Sequence, residues 1–333
     1  MVKFIDKCPV CNSNDLNLLL NHNFKSNDID IEQIQNKRVD YSDIANYILF
    51  NHILDEEKEE FEFWISFCNN CGFLFTNPRF SDKDIENKYT TLNDLIKGGE
   101  DTINEILNKN YFRINDLYNL LRSYNILNKG NKEILDYGGG AGYMLLPFYK
   151  ENKCDVLDYI DWKLPEHISY LGKDLNDLPE NKKYDLILLL HTLEHVRNPV
   201  ELLKNISTFL KDNGKIIIQV PLGSFLEWKK LKEPLTHINF FSEQSIYNVV
   251  KLAGLNVIHI KTKPQKFPSW IDWEIELIVG RKKNINIPVS EILTTKQQFR
   301  REYYYYIIQL LEILKSPRLI WQYLKKFFRS FLI

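Results

Sequence analysis

The sequence predicts an α/β protein whose main domain is a doubly wound, mainly parallel sheet. Three observations predict this fold class. From residue 133 onward, short apolar stretches alternate with amphipathic helical stretches. Residues 184–190 and 215–220 are almost continuously apolar, which is typical of strands buried on both faces of a parallel sheet. Glycines at 138, 139, 140 and 142 follow the first strand, where such sheets turn and bind ligands.

The individual elements follow from apolar periodicity and from residues that begin or end helices. Predicted strands cover residues 133–136, 154–159, 184–190, 215–220, 256–262 and 275–279. Predicted helices cover residues 100–129, the stretch directly after the glycines, residues 199–210, and a stretch from Ser242 to Ala253. We interpret Asp212-Asn213-Gly214 as the signal that ends the helix at 199–210. This order of strands and helices predicts a Rossmann-like arrangement.

The chain divides into three predicted parts. Residues 1–95 form an amino-terminal segment with a long polar insertion, whose acidic run at 55–60 is interpreted as a solvated loop. Residues 100–282 form the main domain, and residues 283–333 form a helical, basic and aromatic tail. We expect the apolar face of the tail to pack on the protein or on a second copy in a homodimer. Peripheral contact with an anionic membrane is the alternative.

Bulk properties bear on partners and location. The formal net charge of the 333 residues is -1, which argues against a nucleic-acid partner. Neither a secretory start nor an apolar run of 18 residues is present, so we expect a cytoplasmic protein that is at most peripheral on the membrane.

Four of the five cysteines form two CxxC pairs, Cys8 with Cys11 and Cys68 with Cys71. Without a secretory signal, such pairs indicate metal ligands before disulfides. Two pairs supply the four thiolates of a closed tetrahedral zinc site, so we predict a structural zinc and a zinc-binding amino-terminal segment. Cys154 lies in a predicted strand and is expected in the core.

The glycine stretch is part of a longer pattern. Asp136 precedes it, and glycines at 138, 140 and 142 give an acid followed by GxGxG. Further along, residues 191–196 read His-Thr-Leu-Glu-His-Val, just before an Asn198-Pro199 helix start. In this order and spacing, residues 130–260 resemble class I methyltransferases that use S-adenosylmethionine. The resemblance implies S-adenosylmethionine as the cofactor.

The resemblance also implies which residues bind the cofactor. These are Asp136, Tyr137, Gly138, Gly140, Gly142, Asp158, Asp174 and His191. Asp136 corresponds to the residue that holds the methionine amino group, and Asp174 to the acid near the adenine amino group. The ribose ligand is Asp158 by its spacing from Gly142, and Asp161 is the rival.

The amino-terminal segment has a resemblance of its own. A Cys-Pro-Val-Cys start at residues 8–11 and the text Cys-Gly-Phe-Leu-Phe-Thr-Asn-Pro-Arg at residues 71–79 are similar to zinc-knuckle methyltransferases of sugar and polysaccharide pathways. This similarity implies a small-molecule or glycan acceptor.

Acid–base candidates follow the two central strands. Glu194, His195 and His237 are the predicted catalytic residues, because methylation of oxygen needs a base and histidine suits that task near neutral pH. In the related sugar C-methyltransferases a Glu precedes the histidine that acts as base, and here Thr236 replaces it. The alternatives are that both histidines only pack, or that Glu194 and the histidines hold a metal, as in methyltransferases acting on RNA ends.

These observations give one leading hypothesis and two alternatives. The leading hypothesis is O-methylation of a sugar of a surface polysaccharide or of its nucleotide-linked or lipid-linked precursor. The first alternative is C-methylation of a nucleotide keto-sugar. The second is a non-catalytic binding or scaffold protein that keeps the fold without the chemistry.

Overall fold

The computed structural model of the chain describes residues 2–26, 31–35, 41–54, 58–96, 103–127, 130–161, 163–223, 235–266 and 271–281. The predicted helical tail at 283–333 lies outside these residues, so its expected packing, self-association and membrane contact stay predictions. In the described part, no helix is both long and apolar enough to span a membrane.

The described chain folds into two sheets and the helices that pack on them. The strands are β1 (Leu16–Lys25), β2 (Glu60–Cys68), β3 (Leu74–Asn77), β4 (Glu133–Tyr137), β5 (Lys153–Leu157), β6 (Ile168–Gly172), β7 (Tyr184–Leu190), β8 (Leu210–Pro221), β9 (Asn239–Phe240), β10 (Asn256–Lys266) and β11 (Ile271–Gly280). The helices are α1 (Ile31–Gln35), α2 (Tyr41–Ile48), α3 (Asp82–Ile96), α4 (Ile103–Ser123), α5 (Pro199–Thr208) and α6 (Glu243–Leu252).

The larger sheet confirms the predicted fold class. Its strand order is β6-β5-β4-β7-β8-β11-β10, in which β6 to β8 are parallel and β11 and β10 are antiparallel. Chain order reverses between β4 and β7, and the carboxyl ends of strands at such a switch point are where open α/β sheets bind ligands. The apolar runs of β7 and β8 are buried, as their composition predicts.

Helix α6 also follows the sequence signals. The Ser242 side chain accepts a hydrogen bond from the backbone N–H of Ser245, and the helix ends at Ala253 before Gly254 in a left-handed conformation. The other predicted helices were less accurate.

The helix expected directly after the glycines is wrong. A single 3-10 turn, Tyr143–Leu145, and a run of turns to residue 151 take its place. The segment from Asp158 to residue 167 is likewise without a helix in its described part. Both crossovers are therefore short, and the glycine loop is fixed at its start by the end of β5, where the Gly138 N–H donates to the Leu157 carbonyl oxygen at 2.7 Å.

The helix predicted to residue 210 ends at Thr208, and Asp212-Asn213-Gly214 lies inside β8 instead of capping the helix. Leu210 pairs with Tyr184 and Lys215 with Leu186, so the residues between them form an irregularity in the ladder. A Cβ at Gly214 would lie 2.8 Å from Leu210 Cγ and 2.9 Å from the Tyr184 carbonyl oxygen. The glycine is needed for this close approach.

The amino-terminal segment shares its sheet and its core with the main domain. The smaller sheet has the order β1-β2-β3-β9, and β9 comes from the loop after β8. The buried cluster that includes Cys8, Cys68 and Phe73 continues into Leu135 and Phe241. The predicted boundary near residue 95 therefore does not separate two hydrophobic cores. The polar insertion also contains structure, since β1, α1 and α2 lie in it.

Candidate active site

A cavity of about 430 Å³ opens at the carboxyl ends of the central parallel strands. This is within the usual range for sites of small molecules and cofactors. One side is formed by the loops after β4, β5 and β7, and the other by α3 of the amino-terminal segment. Its lining residues are Asp82, Ile85, Tyr89, Tyr137, Gly138, Leu157, Asp158, Tyr159, Lys173, His191, Thr192, His195, Val196, Arg197, Asn198, Glu201 and Leu202.

Of the two candidate ribose ligands, Asp158 is the one that lines the cavity. It follows the last residue of β5, and its Oδ2 accepts a hydrogen bond from the Gly140 backbone N–H at 2.8 Å. Its Oδ1 accepts another from the Ile160 N–H at 3.0 Å. Asp161, the rival for the ribose, is exposed and is not among the lining residues. The geometry favours Asp158 because its carboxylate is fixed against the glycine loop.

Asp136 lies beneath the glycine loop at 1% exposure. Burial and, to a smaller extent, the charge of Asp158 raise the pKa of its carboxyl group to about 7, while Arg113 opposes both effects. Its Oδ2 is buried and has no hydrogen-bond partner in the described part of the chain. A buried carboxylate oxygen without a partner fits a ligand that brings a cationic donor, such as the ammonium group of S-adenosylmethionine.

The other predicted cofactor residues lie around the same loop. Tyr137 and Gly138 line the cavity, while Gly140 and Gly142 belong to the loop but are not among its lining residues. Asp174 caps the short turn Leu175–Asp177, where its side chain accepts from the Asn176 N–H at 2.7 Å. Its neighbour Lys173, and not Asp174, lines the cavity.

His191 lies between two buried carboxylates. Its Nε2 is 3.0 Å from Glu274 Oε2, and its Nδ1 is 3.4 Å from Glu194 Oε1. Burial lowers the pKa of His191, but these two carboxylates outweigh burial and raise it to about 9. The residue has a left-handed backbone with φ of 56°, which is uncommon for a residue other than glycine. The structure thus holds a cationic imidazole at the wall of the cavity.

Glu194, His195 and His237 come together as the sequence predicts. The ring centroids of the two histidines are 5.0 Å apart, and His195 Nε2 is 3.7 Å from Glu194 Oε1. One ligand atom from each of the three residues lies within 4.8 Å of the others. His195 Nδ1 is hydrogen-bonded to the Thr236 carbonyl oxygen. Burial lowers the pKa of His195 to about 3 and also lowers that of His237, while Glu194 opposes both shifts.

Glu194 supplies the carboxylate that Thr236 cannot. Its side chain is 2% exposed, and in the described residues neither of its oxygens accepts a hydrogen bond. The pKa of Glu194 is about 2, because the neighbouring histidines outweigh the effect of burial. The carboxylate beside the two histidines therefore lies in the loop after β7 and not at the residue before His237.

The four paired cysteines also come together. Cys8 Sγ is 3.6 Å from Cys71 Sγ, and Cys11 Sγ is 3.5 Å from Cys68 Sγ. All four sulfurs lie within 4.8 Å of one another, and none of them forms a disulfide. Sulfurs bound at about 2.3 Å to one tetrahedral zinc stand about 3.8 Å apart, so the spacing fits that ion. Cys154 is buried, as its position in a strand predicts.

Several functional residues were missed by sequence reasoning. Tyr89 on α3 and Tyr159 after β5 stack at 5.7 Å between ring centroids, and both line the cavity. Glu274 on β11 contacts His191, which precedes it by 83 residues. Only Tyr159 has a signal in the sequence, because it directly follows the acid predicted to bind ribose.

Comparisons with known proteins give the class of the main domain. Residues 108–260 match a protein family described as a methyltransferase domain. The "Ubiquinone biosynthesis O-methyltransferase" of Rickettsia canadensis is 29% identical over 162 residues, 41% of this chain and 67% of that protein. The protein of the same name from Rickettsia typhi is 26% identical over 53% of this chain and 83% of that protein. A third, from Rickettsia conorii, is matched over only 34% of its length.

Two solved structures are similar in part. The SAM-dependent methyltransferase from Methanosarcina mazei has 14% identity and a TM-score of 0.40, covering 47% of this chain and 95% of its own. Magnesium protoporphyrin IX methyltransferase from Synechocystis PCC 6803 with bound SAH has the same identity and score, with 58% and 93% covered. These scores are too low to carry an argument about function. The family match and the sequence relatives show that the chain carries a class I S-adenosylmethionine-dependent methyltransferase domain.

Proposed function

We propose that the protein transfers a methyl group from S-adenosylmethionine to a hydroxyl oxygen of a small molecule or glycan. One observation carries this proposal: a single cavity joins Gly138 and Asp158 on its cofactor side to His195 on the other. A base next to the cofactor suits oxygen acceptors, whose proton must leave as the methyl group arrives. The Rickettsia relatives are named O-methyltransferases, which supports the choice of oxygen.

The residues of the glycine loop would hold the cofactor. Asp136 would pair with the ammonium group through its unpartnered Oδ2, and Asp158 would accept hydrogen bonds from the ribose hydroxyls. Tyr159 and Tyr89 offer aromatic faces for the adenine or for the acceptor. When bound, the cofactor supplies an electrophilic methyl group on its sulfonium. Positioning of the acceptor in line with that methyl group supplies much of the acceleration.

His195, which lines the cavity, or His237 beside it would remove the proton of the acceptor. The hydrogen bond to Thr236 carbonyl oxygen requires the proton of neutral His195 on Nδ1, so Nε2 keeps its lone pair. His195 is neutral near pH 7, as a base must be, because burial lowers its pKa. Glu194 would stabilise the imidazolium that forms when the proton arrives.

A divalent cation held by Glu194, His195 and His237 is a second mode for the same cluster. Two imidazoles and one carboxylate form a common ligand set that leaves positions open for substrate oxygens. Neither oxygen of Glu194 accepts a hydrogen bond in the described residues, which fits such a role. Metal removal therefore belongs in the first experiments on this protein.

We propose a sugar hydroxyl as the acceptor, because the segment around residues 71–79 resembles sugar-pathway methyltransferases. A phenolic hydroxyl is the second candidate, since the relatives are named for ubiquinone biosynthesis. C-methylation of a keto-sugar stays the third. The net charge of -1 supports our proposal that nucleic acid is not a partner.

The deciding experiment measures transfer of a labelled methyl group from S-adenosylmethionine to nucleotide sugars, glycans, keto-sugars and polyprenyl phenols. Label in an alkali-stable methyl ether of a sugar would support the leading proposal, and label on a phenol would move the acceptor to the second candidate. Calorimetry with S-adenosylhomocysteine distinguishes an enzyme from a scaffold. If the protein binds no cofactor, the methyltransferase proposal is wrong.

We also propose one structural zinc on Cys8, Cys11, Cys68 and Cys71. The sulfur spacing and the burial of Cys8, Cys68 and Cys71 support it. All four positions of the ion would be filled by the protein, so its task would be to stabilise the fold.

A further inference from the structure

We infer that Arg79 is a positioning residue, through which the amino-terminal segment holds the two loops that carry His195 and His237. This inference rests on the proposed function, because it assigns a task to Arg79 in the geometry of the proposed base. The loops are named here the first loop (residues 193–197, after β7) and the second loop (residues 236–239, ending in β9).

The Arg79 guanidinium binds backbone carbonyls of both loops at once. Its Nη1 donates to the Ile238 carbonyl oxygen at 2.7 Å and to Asn239 Oδ1 at 2.8 Å. Its Nη2 donates to the Arg197 carbonyl oxygen and, at 3.5 Å, to that of Val196. One side chain of the amino-terminal segment thus connects the first loop to the second.

The setting of Arg79 is unusual for an arginine. The residue is 3% exposed, and no carboxylate of the described chain lies within ion-pair distance of its guanidinium. Burial of a cation is costly unless polar groups replace its water shell. Here the replacing groups are the loop carbonyls and Asn239, and the ring of Phe75 lies 5.8 Å below the guanidinium carbon. The buried charge is therefore stabilised only when the two loops keep the conformation that directs these groups at the guanidinium.

Asn239 completes the connection from the second loop. Its Nδ2 donates to the carbonyl oxygens of Leu193 and Val196, both at 2.7 Å. The backbone N–H groups of Ile238 and Asn239 both donate to the Glu194 carbonyl oxygen, at 2.9 and 3.1 Å. Arg79 binds the carbonyl oxygens of Ile238 and Arg197 and also the Asn239 side chain, so it orients Asn239 between the two loops.

This arrangement fixes the positions of His195, which lines the cavity, and of Glu194 and His237 beside it. Glu194 and His195 lie between the two first-loop anchor points, Leu193 and Val196, and His237 directly precedes Ile238. The 5.0 Å separation of the two imidazole rings depends on how the loops lie against each other. A displacement of about 1 Å in a catalytic group is enough to cost about a hundredfold in rate.

An arginine is required because one buried side chain must donate hydrogen bonds to acceptors on both loops. The guanidinium presents five donors in a planar fork, whereas a lysine ammonium presents three on a flexible stem. The backbone of Arg79 is itself fixed, since its N–H donates to the Lys3 carbonyl oxygen at 2.8 Å and its carbonyl accepts from the Lys3 N–H at 3.0 Å. Strand β3 connects this point to Cys71, whose carbonyl oxygen accepts from Asn248 of α6 at 3.1 Å.

The test compares Arg79→Lys and Arg79→Ala with Arg122→Lys, a matched change at an exposed position on α4. We expect Arg79→Lys to lower kcat about 10–100-fold, with cofactor affinity within twofold of the wild-type value. Added guanidinium ion should restore part of the activity of Arg79→Ala. The carbon-bound ring protons of His195 and His237 should shift in the NMR spectrum of Arg79→Lys and not in that of Arg122→Lys.

A folded Arg79→Lys protein with wild-type kcat and unshifted His195 and His237 resonances would overturn the inference. If Arg79→Ala does not fold, Asn239→Ser tests the same connection from the other loop, and unchanged resonances there would also overturn it. The NMR measurement needs no substrate. If the wild type transfers no methyl group but the resonances shift, the proposed function fails while the positioning by Arg79 stands.

Discussion

Gly139 lies directly against the carboxyl group of Asp136, since a Cβ at Gly139 would be 2.6 Å from Asp136 Cγ. The loop is closed over the acid so tightly that no side chain fits at this position. Gly139 is not one of the glycines of the GxGxG pattern, yet it sets the place of the carboxylate that we assign to the cofactor. Its requirement comes from packing and not from its backbone angles.

We predict that Gly139→Ala lowers both stability and cofactor affinity. The added methyl group must displace Asp136, and overpacking of this kind costs about 1–3 kcal/mol in unfolding free energy. Thermal unfolding and calorimetry with S-adenosylhomocysteine measure the two effects. Gly280→Ala is the control, because its Cβ would meet the end of the Ile258 side chain at 3.3 Å. Equal affinity in the two variants would contradict the prediction.

The choice between the two candidate ribose ligands gives a second prediction. Asp158→Asn should weaken cofactor binding about 10–100-fold, since a hydrogen bond to a charged group contributes about 1.5–3 kcal/mol. Asp161→Asn should leave it unchanged, because Asp161 is exposed outside the cavity. Calorimetric titration of both proteins with S-adenosylhomocysteine decides the matter. The reverse ranking would show that the ligand is Asp161.

The pKa of Asp136 predicts a dependence on pH. Burial raises it from the ordinary 3.8 to about 7, so the folded protein without cofactor binds more protons than the unfolded chain between these values. Its stability should therefore contain a contribution that falls as pH rises from about 4 to about 7. The cofactor ammonium favours the ionised acid, so cofactor affinity should rise over the upper part of this range.

Asp136→Asn should remove both pH effects and weaken cofactor binding. Calorimetry in buffers of different ionisation enthalpy measures the proton released when the cofactor binds near pH 6.5. Wild-type protein that releases no proton there would count against the shifted pKa. Asp212→Asn serves as control, since the Asp212 side chain is exposed on β8 and lies outside the cavity.

The fourth prediction concerns the base. His195→Ala and His237→Ala should each lower turnover by about 10²–10⁴-fold, the usual contribution of a positioned base, with cofactor affinity nearly unchanged. His167→Asn is the control because its side chain is exposed. Near-normal turnover in both alanine variants would show that neither histidine acts as base.

Metal removal then separates the two modes of the Glu194 cluster. With base catalysis alone, dialysis against a chelator weak enough to leave the thiolate-bound ion in place should not change turnover. Loss of activity that returns with a divalent cation, together with loss of that response in Glu194→Gln, would favour the metal.

The cysteine cluster gives the fifth prediction. Protein purified without chelator should contain close to one zinc per chain on this cluster. Cys68→Ser should lower the melting temperature and the zinc content together, because a structural zinc contributes folding free energy. Cys154→Ser, at a buried cysteine outside the cluster, should keep the zinc. Zinc-free wild-type protein with normal stability would refute the site.

The sequence predicts well those features that neighbouring residues determine, and less well those that depend on contacts with residues distant in the chain. The parallel strands follow from local apolar runs, and the cysteine pairs and the cluster of Glu194, His195 and His237 follow from recognisable spacing. The predicted helix after the glycine loop and the predicted helix cap at Gly214 were wrong, because both predictions used only neighbouring residues. At Gly214 the deciding contacts are with Leu210 and Tyr184, and the latter is on another strand.

The amino-terminal part was less predictable for a related reason. Arg79 and Tyr89 contact partners far away in the chain, as Glu274 on β11 does in the main domain, and no periodicity in the sequence predicts such contacts. The text that ends in Arg79 pointed to a zinc-knuckle segment. It gave no sign that Arg79 donates hydrogen bonds to the first loop and the second loop.

The place of β9 in the smaller sheet has a consequence for biosynthesis. The hairpin of β2 and β3 leaves the ribosome early, but the partner of β3 is Asn239–Phe240. About half of the chain is thus translated while the outer edge of β3 still has open hydrogen-bonding groups. An open strand edge is a template for pairing with other chains. We expect a nascent chain that is halted before residue 239 to depend on chaperones. A chain that is released after residue 240 has left the ribosome should depend on them far less.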